Sequence, residues 1–182
     1  MPHAADAVLA VQEEVSVIHW HLHRFDALSP QQLYLLMQLR QDVFVVEQNC
    51  AYADLDGHDF PSLHLSAWHH EQPVAYLRIV PPEVHASGCP SLGRICTAGH
   101  MRRKGLGRDL VKRGLDLVAT HWQAHDCQIG AQSYLRRFYE SFGFVVNGNE
   151  YHEDGIPHLP MRRRANVPPT SEPGRLYLEE AL

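Results

Sequence analysis

The sequence lacks the local signatures of several large classes of protein. Its 182 residues include four cysteines but no CxxC pair, no HExxH pair and no apolar run long enough to cross a membrane. It also has no Gly-Lys-Ser/Thr phosphate loop and no GxGxxG fingerprint near its first strand. His19, His21 and His23 share one face of a predicted strand, without a carboxylate or cysteine at ligand spacing. We therefore expect a cytoplasmic protein with reduced thiols and no metal.

The chain also lacks an excess of positive charge. Its 16 Lys and Arg against 21 Asp and Glu give a formal net charge of -5. Such a chain has no general attraction to polyanions, so we expect no binding to nucleic acid or to a membrane. A length of 182 residues with 45% hydrophobic residues suits one core. We predict one domain at residues 15–164, a flexible N-terminus at 1–14 and a tail at 165–182 that ends in a short helix.

Hydrophobic patterning predicts an α/β domain. Alternating and apolar runs predict strands at residues 15–23, 64–68, 74–80, 92–97 and 127–131. Ser29, Pro30 and Gln32 form a capping-box pattern that starts a helix. Further helices are predicted beyond Gly107 and up to the C-cap Gly143. The segment 144–146, a turn at residues 147–148 and the segment around Tyr151 predict a final hairpin, with residues 158–162 as its extension.

Two loops carry clustered charge. The acidic loop, residues 47–59, contains Glu47, Asp54, Asp56 and Asp59, but its glycine comes too early for a calcium loop. It is either a solvated loop or an electronegative funnel for a cationic substrate. The basic loop, residues 100–108, stands between a strand and a helix. Its cations are Arg102, Arg103, Lys104 and Arg108.

The basic loop has the chemistry of an anion site. A strand-to-helix turn gathers backbone N–H groups that have no intrahelical partner, and the helix dipole adds positive potential there. Gly105 and Gly107 lack the Cβ atoms that would keep an anion at a distance. A pyrophosphate suits this site, although a plain basic helix start or a patch for nucleic acid or protein remains open.

Two motifs resemble the GNAT family of N-acetyltransferases. Residues 102–107, Arg-Arg-Lys-Gly-Leu-Gly, match its acetyl-coenzyme A motif, (Gln/Arg)-x-x-Gly-x-(Gly/Ala), and residues 139–144 match a second motif, Tyr-Glu-x-x-Gly-Phe. The segments Leu-Arg-x-Asp-Val-Phe-Val-Val-Glu-Gln at 39–48, Asp-Leu-Asp-Gly at 54–57 and Glu-Asp-Gly-Ile-Pro-His at 153–158 resemble the ElaA-type branch, and the similarity covers roughly residues 16–163. Arg103, Gly99 and Gln132 depart from the glycine, proline and asparagine of many members.

The resemblance implies a single GNAT domain. Its central sheet would be mixed and mostly antiparallel, with helices on both faces and a parallel strand pair that splays at the cofactor site. The pantetheine arm of acetyl-coenzyme A would fill that opening, and a backbone N–H near Cys96 would face the thioester oxygen. The implied cofactor residues are Ile95, Cys96, Thr97, Arg102, Arg103, Lys104, Gly105, Leu106, Gly107, Arg108 and Gln132.

The resemblance also implies acetyl transfer from acetyl-coenzyme A to an amine, by direct attack in a ternary complex. Tyr139 is the expected general acid, unless it is core packing with a locally satisfied hydroxyl. Glu47, His64 and His158 are candidate bases, and Glu47 is preferred because it follows the first helix and would attract an amine. Alternatives are a coenzyme-binding module without turnover and a basic interaction domain. A homodimer is common among relatives.

Overall fold

The computed structural model describes residues 17–123 and 125–165. The strands are β1 Ile18–Arg24, β2 Leu63–His69, β3 Gln72–Val80, β4 Ser91–Thr97, β5 Cys127–Gln132, β6 Val145–Val146, β7 Tyr151–Glu153 and β8 Ile156–Arg163. The α-helices are α1 Pro30–Arg40, α2 Leu106–His121 and α3 Arg136–Glu140. A π-helical turn, Gln41–Glu47, extends α1, and short 3₁₀ turns occupy Phe25–Ala27, Gly99–Met101 and Ser133–Leu135.

One eight-stranded sheet runs through the domain in the order β1-β2-β3-β4-β5-β8-β6, with β7 also paired to β8. All pairs are antiparallel except β4 with β5, which meet at a single register, Ser91 with Gln128. Beyond that pair the two strands separate. Arg94 has φ +50°, and the β3–β4 register shifts between Tyr76 and Arg78, so a bulge bends β4 at this point. The expected mixed α/β sheet with a splayed parallel pair is confirmed.

Helices pack on both faces of the sheet, as predicted. The Arg40 guanidinium of α1 lies 5.5 Å from the ring centroid of Tyr76. Leu77, the next residue along β3, faces α2 instead: a Cβ added at Gly114 would come within 2.9 Å of its Cδ1. Because successive strand side chains point to opposite faces, α1 and α2 lie on opposite sides of the sheet.

The predicted start of α1 is confirmed. The Gln32 N–H donates to Ser29 Oγ at 3.1 Å, and the Ser29 N–H donates to Gln32 Oε1 at 2.9 Å, with Pro30 at the first helical position. Gly143 has φ +85°, and its N–H bonds to the Glu140 carbonyl at 2.9 Å, so it ends the α3 segment as expected.

The turn of the predicted final hairpin is wrong. β6 and β7 do not pair with each other; both pair with β8, and β7 joins β8 through Asp154 and Gly155. Both turn residues have positive φ, 52° and 82°, which suits a two-residue turn between twisted strands. The Asn147-Gly148 segment instead lies over β8, where the Asn147 N–H bonds to the Pro160 carbonyl at 2.8 Å.

Parts of the predicted domain organisation lie outside the described residues. These are the N-terminal segment 1–14 and the tail beyond residue 165, which includes the helix expected at 176–182. The division into these segments stays a prediction. Within residues 17–123 and 125–165, no helix is both long and apolar enough to cross a membrane.

Candidate active site

The diverging strands β4 and β5 open a cleft of about 800 Å³. Of the predicted site residues, those that line it are Glu47, Ile95, Cys96, Thr97, Arg102, Gly107, Gln132 and Tyr139. The other predicted cofactor residues, Arg103, Lys104, Gly105, Leu106 and Arg108, belong to the basic loop and the start of α2. The structure thus gathers both sets around one opening in the sheet.

The basic loop presents backbone donors that have no partner. Gly105 is the N-cap of α2 with φ +85°, and Arg103 also has a positive φ of 63°. In the described part of the chain, the N–H groups of residues 103–107 make no hydrogen bond, whereas those of Arg108 and Asp109 bond to the Gly105 carbonyl. Unpaired N–H groups at a helix N-terminus form a natural anion site. The loop conformation therefore suits a phosphate group.

Two of the four cations of the basic loop, Arg102 and Arg108, bond to polar groups elsewhere in the protein. The Arg102 guanidinium makes a two-pronged ion pair with Glu47, with Nη2 to Oε2 at 2.8 Å, and its Nε donates to the Thr97 carbonyl at 3.1 Å. Arg108 donates to Ser141 Oγ at 3.1 Å and stacks 4.8 Å from the Phe142 ring centroid. These arginines brace the loop against the cleft wall. Among the described residues, the donors of this loop that lack a partner include the backbone N–H groups of residues 103–107 and the Arg103 guanidinium.

Tyr139 on α3 has a buried ring and an unpartnered hydroxyl. Its side chain is 6% exposed and packs edge-on against Phe138 and Phe144. Buried tyrosine hydroxyls usually find a partner. Here the hydroxyl has no hydrogen bond among the described residues, although the side chain lines the cleft. Burial raises the pKa of the Tyr139 phenol well above its ordinary value, and the Tyr134 phenol acts in the same direction.

The open edge of β4 offers a backbone N–H to the cleft. The Ala98 N–H bonds to the Val74 carbonyl of β3 at 2.9 Å. Backbone polar groups alternate sides along a strand, so those of Thr97 point away from β3, towards β5. The N–H that faces the cleft is therefore that of Thr97 rather than that of Cys96. Burial raises the pKa of the Cys96 thiol to about 12, which makes it a poor nucleophile.

Comparison with known proteins decides the family. A family model described as an acetyltransferase (GNAT) domain matches residues 27–165. The chain is 39% identical over 149 residues to Protein ElaA of Escherichia coli (strain K12), covering 81% of this chain and 97% of that protein. The chain belongs to the GNAT family.

Solved structures agree with this assignment. The fold is similar to a crystal structure of an acyl-CoA N-acyltransferase from Pseudomonas aeruginosa, with a TM-score of 0.75 and 39% identity over 79% of this chain and 98% of that chain. It is also similar to the crystal structure of Escherichia coli ElaA, with a TM-score of 0.76 and 38% identity over 81% of this chain and all 100% of that chain. The protein is thus an ElaA-like GNAT acyltransferase, as the two motifs predicted.

The candidate bases of this GNAT protein have different surroundings. His64 is fully buried, and its ring nitrogens lie 2.7 Å from the Tyr76 hydroxyl and 2.9 Å from the Asp59 carbonyl. Glu47 lines the cleft, but the hydrogen bond and charge of Arg102 hold its pKa below the usual value. The base role of Glu47 stays a prediction, and the ion pair weighs against it because a stronger acid is a weaker base. His158 also lines the cleft.

The acidic loop of this GNAT domain is not an electronegative funnel. The ion pairs that bind its aspartates are Arg40–Asp54 at 2.8 Å, Arg40–Asp59 at 2.7 Å, Arg78–Asp56 at 2.7 Å, Arg78–Asp59 at 3.0 Å, Arg94–Asp54 at 2.7 Å and Arg94–Asp56 at 3.1 Å. Burial alone would raise the pKa of Asp56, but hydrogen bonds and charge from Arg78 hold it far below its usual value. The network ties the loop to α1, β3 and β4, and the funnel interpretation is wrong.

Several cleft residues of this GNAT site were not predicted. The Gln132 amide donates to Gln48 Oε1 at 3.1 Å, so the predicted pantetheine contact is joined to the turn after α1. Tyr134, Phe138 and Tyr151 also line the cleft.

The sequence carried one usable signal for the arginine network: an arginine inside the apolar run Val-Ala-Tyr-Leu-Arg-Ile-Val at 74–80. A buried charge requires partners, and the nearest unassigned acids were those of the acidic loop.

Proposed function

We propose that this acyltransferase moves an acetyl group from acetyl-coenzyme A to an amine, by direct attack in a ternary complex. Family membership gives acyl transfer from an acyl-coenzyme A; the acetyl donor and the amine acceptor are our proposal. The observation that carries it is the Tyr139 hydroxyl, which is unpartnered in a nearly buried side chain at the cleft. A tyrosine that packs its ring in the core and turns its hydroxyl to the cleft is placed to bond to a ligand there.

The residues of the cleft fit the parts of this donor. The free N–H groups of residues 103–107 would hold the pyrophosphate, with Arg103 adding mobile charge. The facing edges of β4 and β5 are unpaired beyond Ser91 and Gln128, so their backbone groups would bond to the amides of the pantetheine arm. The Thr97 N–H would face the thioester oxygen and stabilise the oxyanion as the amine attacks.

Tyr139 would protonate the departing thiolate. The raised pKa keeps its phenol protonated at neutral pH, so the proton is always available. A phenol is a weaker acid than a thiol, and its deprotonation is therefore transient. Proton transfer from Tyr139 to the thiolate must be coupled to the return of a proton to Tyr139, and this is the proton that the acceptor nitrogen loses as the amide forms.

The free state of the four cysteines supports the cytoplasm as the place of this reaction.

The Tyr139→Phe variant tests this function. Removing a general acid should lower kcat by about 10²- to 10⁴-fold. Affinity for coenzyme A should stay within about twofold, and the free energy of unfolding should be unchanged, because the lost hydroxyl has no protein partner. Thiol release with a panel of amines measures the rate, and calorimetry measures the affinity.

Tyr34→Phe is the matched control, because Tyr34 is 70% exposed on α1 and lies outside the cleft. An unchanged rate in Tyr139→Phe would remove the general acid. Coenzyme A binding without amine-dependent thiol release by the wild-type protein would favour a binding module. Steeply salt-dependent DNA binding without coenzyme A affinity would favour a basic interaction domain instead.

A further inference from the structure

Three residues on adjacent strands line up across the cleft end of the sheet. His158 of β8 is directly opposite Gln132 of β5 on one side and Tyr151 of β7 on the other. Directly opposite residues in antiparallel pairs project to the same face of the sheet. That face is the α1 side, because the Gln132 amide bonds to Gln48, which follows the π-helical turn after α1.

Tyr139 approaches the cleft from the other face. Its helix, α3, packs beside α2, where Arg108 stacks on Phe142 and bonds to Ser141. Helix α2 lies on the face of the sheet opposite α1. His158 and Tyr139 therefore line the same cleft from opposite faces of the sheet. Acyl transfer to an amine uses two such groups, one that removes a proton from the nucleophile and one that delivers a proton to the leaving group.

The hydrogen bonding of His158 fixes its tautomer. Its Nδ1 lies 2.8 Å from the Ile156 carbonyl oxygen, which can only accept, so Nδ1 carries the proton. In the neutral ring Nε2 then holds a lone pair, and no described residue bonds to it. The ring also packs against Tyr151, with centroids 5.7 Å apart and planes at 30°. This combination presents an oriented proton acceptor on the wall of the cleft.

A glycine makes room for the ring that braces His158. A Cβ added at Gly130 of β5 would come within 2.5 Å of the Tyr151 hydroxyl oxygen. Any other residue at this position would displace Tyr151. The titratable side chain in ring contact with His158 is Tyr151, whose phenol in turn donates to Glu153 at 3.4 Å. The neighbour on the other side, Gln132, carries no charge.

We propose that His158 is the general base that activates the acceptor amine; this inference rests on the proposed function. Nε2 takes one proton from the acceptor ammonium. The neutral nitrogen forms the C–N bond, the C–S bond breaks, and the thiolate takes a proton from Tyr139. The second proton lost by the nitrogen replaces the one that Tyr139 gave, and His158 releases its proton to solvent. The sum is ammonium plus thioester to amide, thiol and one proton.

The other two candidates do not meet these conditions. Both ring nitrogens of His64 are occupied inside the core, outside the cleft lining. Glu47 is held in an ion pair that makes it a weaker proton acceptor. Histidine is also the side chain that ordinarily changes protonation near neutral pH. It therefore suits a reaction in which an ammonium must lose a proton to become the nucleophile.

His158→Gln tests the proposal with two acceptors of similar size. One is the best primary alkylamine of a thiol-release screen, which is protonated at neutral pH; the other is an aromatic amine, which is neutral there. For the alkylamine, kcat/KM should fall by about 10²-fold or more. Its decrease at acidic pH, which protonation of the base causes, should also disappear. For the aromatic amine the fall should be much smaller, because no ammonium proton has to be removed before attack. His121→Gln, an exposed histidine at the end of α2, should change neither value.

The outcomes separate the two levels of the proposal. Equal losses with both amines, or an unchanged rate with the alkylamine, would overturn the base role of His158 and leave acetyl transfer standing. No amine-dependent thiol release from the wild-type protein would overturn acetyl transfer itself. Coenzyme A binding measured by calorimetry shows that the variant is folded. If His158→Gln does not bind it, His158→Ala with added imidazole decides: a restored rate supports the base, and an unrestored rate in a coenzyme-binding variant contradicts it.

Discussion

The acidic loop and the basic loop border the same cleft, and in sequence both are clusters of like charge. In the structure they differ in what remains unpaired. The aspartates of the acidic loop are matched by Arg40, Arg78 and Arg94, largely out of solvent. In the basic loop, the backbone N–H groups of residues 103–107 have no partner within residues 17–123 and 125–165. A charged cluster that is satisfied internally stabilises the fold, whereas a polar cluster that is left unsatisfied is available to a ligand.

The largest expected effect comes from breaking the satisfied cluster. Arg40 is 0% exposed and pairs with Asp54 and Asp59. Arg40→Ala leaves those carboxylates without that partner, so the free energy of unfolding should fall by about 3–5 kcal/mol. Urea denaturation followed by circular dichroism measures the change.

Arg24→Ala is the control for the arginine change, because the Arg24–Asp26 pair is 80% and 82% exposed at 3.7 Å. Its cost should stay below about 1 kcal/mol. Equal effects in the two variants would mean that the buried network does not stabilise the fold. The claim that the acidic loop serves stability rather than ligand binding would then fail.

An intermediate effect is expected from a change in the basic loop, where the unpaired backbone N–H groups lie. Gly105 has φ +85°, and a Cβ there would meet nothing within 4 Å, so conformation rather than space requires glycine. Gly105→Val should cost about 1–2 kcal/mol of loop strain and weaken coenzyme A binding roughly 5- to 30-fold by calorimetry.

Gly99→Ala is the control in the same region. Gly99 also has open space around its Cα but lacks a positive φ, so alanine should bind coenzyme A as the wild-type protein does. Unchanged affinity in Gly105→Val would show that the backbone of the basic loop does not hold the pyrophosphate.

The smallest effect is expected at the ion pair between Glu47 and Arg102, which joins the acidic loop to the basic loop. Glu47→Gln removes the charge that holds Arg102, so Arg102 is released for the pyrophosphate and coenzyme A affinity should rise by less than about fivefold. The pH dependence of kcat/KM should not move. A shifted profile would restore Glu47 as the base and contradict the role of His158.

The sequence predicted the features that depend on local chemistry. The capping box at Ser29 and the glycine start of α2 both act within a few residues, so their outcome needs no knowledge of distant chain. The final hairpin failed because two turn signals competed. Asn147-Gly148 and Asp154-Gly155 are both suited to a turn, but Asn147 continues the pairing of β6 with β8 through Pro160, and Asp154-Gly155 joins the paired strands β7 and β8.

Features that depend on strand register were not predictable in the same way. His64 and His158 have similar neighbours in sequence, yet β2 places one in the core, while β8 places the other opposite Gln132 on the cleft. A shift of one residue in β8 would turn His158 to the other face. The arginine network likewise joins Arg40, Arg78 and Arg94 from separate elements. Only the tertiary arrangement shows that it neutralises the acidic loop.

Because β4 and β5 pair at a single register, the middle of the sheet exposes backbone groups that could pair with another chain. Interior strands of a sheet are normally protected on both sides, and only outer strands offer unpaired backbone to another chain. This sheet carries two such edges at its centre, because Ser91 with Gln128 is the one register pair between β4 and β5 in the described part of the chain. A bound strand-like ligand would cover both edges at once and would thereby protect them from pairing with another chain.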